Sequence, residues 1–248
     1  MTLTSIARTL VLCGVVLSWS QVQAKSPIPV ETVGLTEEFA AEIDHQMTLF
    51  AGFLAKAKQF DEKLEYVTRA GGVIACCAQA LVEHPDEKAN ANKHAAVRDA
   101  AIAVQEVGSH EEATAAVEAL KSTLAGNVEG EHELEYSWDS LISMYDMMEE
   151  INERNYPLKR AIRRPKGTLE ERRTPVAIAI LTVAMYEDTS YCSDEQIGPW
   201  QKMSKEYQEA MTELSKAIAA KDKAKAAELY LKGNETCNKC HLEIRDAE

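Results

Sequence analysis

The chain has 248 residues, of which 46% are hydrophobic and 27% charged, and its formal net charge is -13. That length allows one large domain or two of ordinary size, and the composition is that of a soluble globular protein. So negative a surface argues against nucleic acid as a partner, and suits either simple solubility or a partner with a basic face.

Residues 1–24 read as a secretory signal, with Arg8 ahead of an apolar run from Leu10 to Leu17 and Val22-Gln23-Ala24 as a small-residue cleavage site. The run is too short to span a bilayer, and no later segment approaches that length. Leu12 before Cys13 stands where lipid attachment wants a small residue. Residues 25–35 hold Pro27 and Pro29 and are expected to be an extended leader.

Nearly all the remaining pattern is helical. Helices are expected from Thr36 to about Lys58, from Asp61 to Glu83, from Asp86 to Val107, and from a cap at Ser109 to Gly126-Asn127. A second set is expected over 133–153, 175–191, 199–220 and 222–245. Short joints between such helices predict antiparallel neighbours, hence an all-α protein of two tandem antiparallel four-helix bundles, one over 36–130 and one over 131–248.

Echoes between the halves suggest duplication. Arg69-Ala70-Gly71-Gly72-Val73-Ile74-Ala75 lines up with Arg173-Thr174-Pro175-Val176-Ala177-Ile178-Ala179, and Ala80-Leu81-Val82-Glu83 with Ala184-Met185-Tyr186-Glu187. Copies held in one chain meet at high effective concentration, so the halves are expected to pack as an intrachain pseudo-dimer.

Chemistry enters at Cys237-Asn238-Lys239-Cys240-His241. C-x-x-C-H is the attachment pattern of c-type haem, in which both thiols bond the porphyrin and the histidine becomes an axial iron ligand. On a helix these residues stand at i, i+3 and i+4 and project from one face, as a flat macrocycle requires. Zinc would need a fourth ligand, and no second Cys/His cluster at ligand spacing exists. A thioredoxin-like pair would want a strand-helix setting, whereas this pair closes a long helical pattern. One covalent haem c with His241 as metal ligand is therefore the expected cofactor, and with an export signal it points to the periplasm. The aligned positions in the first half are Asn127, Gly130 and Glu131, so that half is expected to be free of covalent haem.

The carboxy-terminal half resembles cytochrome c′, on the late C-x-x-C-H, on Arg245 four residues after the histidine, and on Tyr136-Ser137-Trp138-Asp139-Ser140-Leu141. The resemblance implies an antiparallel four-helix bundle, Arg245 beside the haem, and electron transfer or binding of NO or CO in place of substrate turnover. Leu134, Trp138, Leu141, Tyr145 and Met148 recur at alternating steps of four and three and are expected to face inward. The likeness then sets Leu141 on the distal face of the haem, with His241 as sole protein ligand and Met144 as the rival sixth ligand.

Cys76 and Cys77 read as small buried residues, and Cys192 as a loop thiol for which pairing with one of them in an oxidising compartment is left open. The other histidines read as surface or cap residues. Residues 154–173 read as a linker carrying Arg154, Lys159, Arg160, Arg163, Arg164, Lys166, Arg172 and Arg173, either solvated, reaching for haem propionates, or docking an acidic redox partner. The leading expectation is thus a periplasmic c-type haem protein serving a redox partner protein or a small gas ligand. The alternatives are a helical interaction protein with a structural or sensory haem, and a small peroxidase.

Overall fold

A computed structural model describes residues 25–245; the signal reading of residues 1–24 lies outside them. The described residues form helices and no strand, with α1 Val30–Val33, α2 Thr36–Phe53, α3 Leu64–Glu83, α4 Ala91–Gln105, α5 His110–Leu124, α6 Met144–Glu153, α7 Asn155–Arg163, α8 Leu169–Glu187, α9 Asp194–Ala219 and α10 Lys223–Cys240. None of these helices is long and apolar enough to cross a membrane.

Two helices sit at the centre, as their sequences require. From Val67 to Val82, α3 is buried at nearly every position, and so is α8 from Arg173 to Met185. Both are apolar all round, with no polar stripe to offer solvent. They pack on each other, α4 and α9 lie along their flanks, and α5 and α10 cover those in turn. Small residues permit the approach: a Cβ on Gly71 would stand 2.9 Å from the Ala101 carbonyl of α4. The main apolar core runs through both halves, from Ile28 to Ile244, with a small satellite cluster of Val82, Ala91 and Ala95.

Two pairs of aligned residues tie the halves together. Arg69 and Arg173, both buried, each reach across: Arg69 to Glu153 of α6 at 2.9 Å, and Arg173 to Glu42 of α2 at 2.6 Å. At the other ends of the central helices, Glu83 accepts the Trp138 indole N–H at 3.0 Å and Glu187 accepts its backbone N–H at 2.7 Å. Trp138, fully buried, is thereby pinned between α3 and α8.

The long helix expected over 133–153 does not form before Met144. Residues 127–143 run irregularly over α4, with one 3-10 turn at Trp138–Ser140. The reason is competition for the backbone. The carbonyls of Gly130, Glu133, Leu134 and Leu141 are taken by Asn92, Arg98, Gln79 and Gln105, side chains of α3 and α4. Ser143 then starts α6 by accepting from the Asp146 N–H at 3.1 Å. The expected inward stripe fails with the helix, since Leu134 and Tyr145 are exposed.

The expected linker over 154–173 is also corrected, because it holds α7 and the start of α8. Pro157 occupies the first turn of α7, where its missing N–H is tolerated, and the chain turns there out of α6. Thr168 caps α8 well ahead of Pro175, which lies inside the helix. Arg154, Arg172 and Arg173 are consequently internal ion-pair partners and not parts of a loop. Likewise α9 begins at Asp194, one turn before Pro199.

Glu42 lies at the heart of this interface. Its carboxylate is fully enclosed and accepts from Arg154 at 2.6 Å, Arg173 at 2.6 Å and Gln46 at 2.7 Å. Burial alone would raise its pKa, but the two guanidiniums outweigh burial and hold it at about 2. Removing one member of a buried network strands the others, at a cost of about 3–5 kcal/mol. Glu42→Gln is therefore expected to destabilise the protein by about that amount in urea unfolding. Because the folded pKa lies below the ordinary 4.5, this contribution is full above that pH and lost as pH falls from there towards about 2. Acid titration of the parent should show that loss, and the variant should lack it.

Candidate cofactor site

The last helix brings Cys237, Cys240 and His241 to the wall of a cavity of about 770 Å³. That volume falls within the roughly 300–1,000 Å³ of cofactor pockets. Its walls come from α6 (Met144, Met148, Ile151), α7 (Asn155, Lys159), the end of α8 (Met185), α9 (Met203, Tyr207) and α10 (Tyr230, Cys237, Cys240). The cavity thus lies entirely within the second half of the chain.

Local structure explains how the motif faces inward. Asp222 caps α10 by accepting from the Lys225 N–H at 2.9 Å. Gly233, one turn before Cys237, lets α10 lie close on α9: a Cβ there would stand 2.6 Å from Met211 Cε and 3.0 Å from the Tyr207 ring. Tyr207 is buried, and its hydroxyl is hydrogen-bonded to the Cys237 thiol. At His241 the backbone widens into a π turn over His241–Arg245, a distortion that recurs at functional sites. Ile244 is buried beneath that turn, and its carbonyl accepts from Gln196 of α9 at 3.5 Å.

The thiols are not tuned for redox exchange. Burial pushes the Cys237 thiol up, against the Tyr207 hydrogen bond that favours its ionised form. Cys240 is pushed up to about 11, by burial first and then by Cys237, Cys192 and Glu243. A reactive C-x-x-C sits at a helix N-terminus, where the dipole favours thiolate; this pair ends a helix, where the dipole opposes it. No group of three or more His, Cys, Asp or Glu among the described residues is arranged to hold a metal ion directly. The rest of the wall that carries these thiols is largely methionine, tyrosine, asparagine and isoleucine.

Of the residues singled out from sequence, Cys237, Cys240, His241, Arg245 and Met144 meet at this cavity, whereas Leu141 does not. Leu141 follows the 3-10 turn, is fully buried in the core, and gives its carbonyl to Gln105 of α4. Its expected distal position depended on a helix that ends, going backwards, at Met144. Among the wall residues that escape a reading of the sequence are Met185, Met203, Tyr207 and Tyr230, the last bonded to Asn155 at 3.1 Å. The spacing of Met203 and Tyr207, one helical turn apart on α9, is the signal that points to two of them.

Cys76 and Cys77 are buried, as expected. All five described cysteines are free thiols. Cys76 and Cys77 are sealed inside α3, and burial pushes both thiols up. Cys192 is close enough to Cys240 to raise its pKa and makes no pair with α3. Of the other histidines, His84 is buried and caps the turn after α3, and His132 pairs with Asp99 at 2.7 Å.

Comparison with family models, with curated proteins and with solved structures gives no match for this chain. The chemistry of the site therefore has to be read from its own residues.

Gly233→Ala tests the tight seat of α10. The Met211 methyl is the free end of a flexible chain, but the Tyr207 ring is held by burial and by Cys237. Overpacking of this kind costs about 1–3 kcal/mol. Urea unfolding should register a loss of that size, whereas Gly52→Ala, which meets nothing within 4 Å, should not.

Proposed function

We propose that the protein is a periplasmic c-type haem protein that carries electrons, with one haem bonded through Cys237 and Cys240 and ligated by His241. The observation that supports this most is the coincidence of the C-x-x-C-H face of α10 with the wall of a cofactor-sized cavity. Haem supplies a one-electron centre whose potential depends on its axial ligands and surroundings. The protein supplies the rest. Tyr207 orients Cys237, the π turn orients His241, and Lys159 and Arg245 stand on the wall with positive charge suited to propionates. Met144, Met148, Met185 and Met203 line the same cavity and offer thioethers, the donors that accompany histidine in electron-carrying c-type cytochromes. Leu141, the residue expected to crowd the site in favour of small gases, lies elsewhere.

Protein made in a host that attaches c-type haem is expected to keep its haem after denaturation. Cys237→Ala with Cys240→Ala should lose the covalent haem altogether. His241→Ala should keep it but lose the native axial ligation. A reduced spectrum unchanged by CO would agree with electron carriage, and a high-spin ferrous form that takes CO readily would transfer the proposal to gas binding. Absence of covalent haem from the parent protein would refute both.

A further inference from the structure

The described arginines other than Arg245 fall into two groups. Arg69, Arg98, Arg154, Arg172 and Arg173 each pair with a carboxylate at 3.0 Å or less. Some surface lysines elsewhere are paired within their own helix, as in Lys121 with Glu118, Lys216 with Glu213 and Lys225 with Glu228. The cations on and just after α7 stand apart by being clustered. Lys159, Arg160, Arg163 and Arg164 are exposed, and none has a carboxylate within ion-pair distance among the described residues. The sequence explains this: from Arg154 to Leu169 the chain contains no acidic residue.

Packing fixes which way this charge faces. α7 buries Leu158, Ala161 and Ile162 as it packs against α8 and α10, and that leaves Arg160 and Arg163 on its outer face, with Arg164 just past its end. Asn155 and Lys159 of the same helix line the cavity. Tyr156 is 79% exposed on α7, and Tyr145 and Tyr191 are exposed at the cavity wall. Arginine and tyrosine are the residues enriched at the centres of protein interfaces. A helix of this length is about 14 Å long, a footprint within the roughly 600 Å² per partner of small electron-transfer interfaces.

We infer that the outer face of α7 is the docking surface for an acidic redox protein, which it seats beside the cavity. Charge complementarity identifies the occupant. The chain carries -13 overall, so a broad anionic membrane would meet its many carboxylates together with this one basic face. A protein partner touches the basic face alone. At physiological ionic strength the Debye length is about 8 Å, so local charge decides the encounter more than the net charge does. That the partner exchanges electrons rests on the electron-carrier reading, whereas the docking does not need it. The haem spectrum tests the one and the titration below the other.

The test is an amide NMR titration of the isotope-labelled, haem-loaded protein with an acidic plant-type ferredoxin as probe. Saturable shifts centred on 155–164 and the cavity rim are expected, with binding weakened about tenfold or more between roughly 0.02 and 0.3 M salt. Arg160→Glu with Arg163→Glu and Arg164→Glu should abolish the shifts while leaving the circular dichroism and haem spectra unchanged. Should that triple variant fail to fold, the Gln versions at the same exposed positions should still lose about tenfold in affinity. Shifts centred elsewhere, no saturable binding, or binding indifferent to the substitutions would overturn the inference. So would vesicles of phosphatidylcholine and phosphatidylglycerol that engage α7 more tightly than the ferredoxin does.

Discussion

One carboxylate governs the architecture. Glu42 comes from the second helix of the chain, is shut away from water, and binds Arg154 and Arg173, which lie more than a hundred residues later. A lone buried charge of this kind is tolerated only when its partners are in place, so the α2 face, the α6–α7 junction and the start of α8 must settle together. Arg154 is the joint between the two helices that supply Met144, Met148, Asn155 and Lys159 to the cavity wall. The first half of the chain, which has no C-x-x-C-H of its own, thus sets the angle of one wall of the site in the other half.

The same kind of cross-linking holds the earlier and later parts of the chain in register. Apolar burial joins the halves through α3 and α8, and burial of that kind is indifferent to small slides along the helix axes. Directional contacts are what fix the register. The Arg69–Glu153 and Arg173–Glu42 pairs cross in opposite senses, and Trp138 is held by Glu83 from one half and Glu187 from the other.

The C-x-x-C-H pattern and the all-α character were legible because both are written locally. Cys237, Cys240 and His241 lie within five residues, and helical periodicity needs only a window of neighbours. What escaped was set by distant partners. The carbonyls of residues 130–141 go to Asn92, Arg98, Gln79 and Gln105, so a stretch with helical pattern lies across α4 instead, and Leu141 goes with it. Arg154, Arg172 and Arg173 looked like members of one basic loop because their acidic partners, Glu42, Glu37 and Glu38, stand at the far end of the chain. Pro175 and Pro199 suggested helix starts, yet each lies inside a helix whose true cap, Thr168 or Ser193, stands upstream.

The site depends on the end of α10 and the π turn after it presenting two thiols and one imidazole to a single cavity. Mass analysis of peptides from the protein, purified after expression in a host that attaches c-type haem, addresses that directly. The account predicts that the peptide containing Cys237 and Cys240 carries the mass of one haem, that Cys76, Cys77 and Cys192 remain unmodified, and that no other peptide carries the group. Recovery of the Cys237–Cys240 peptide as free thiols or as a disulfide, from such a host, would contradict it.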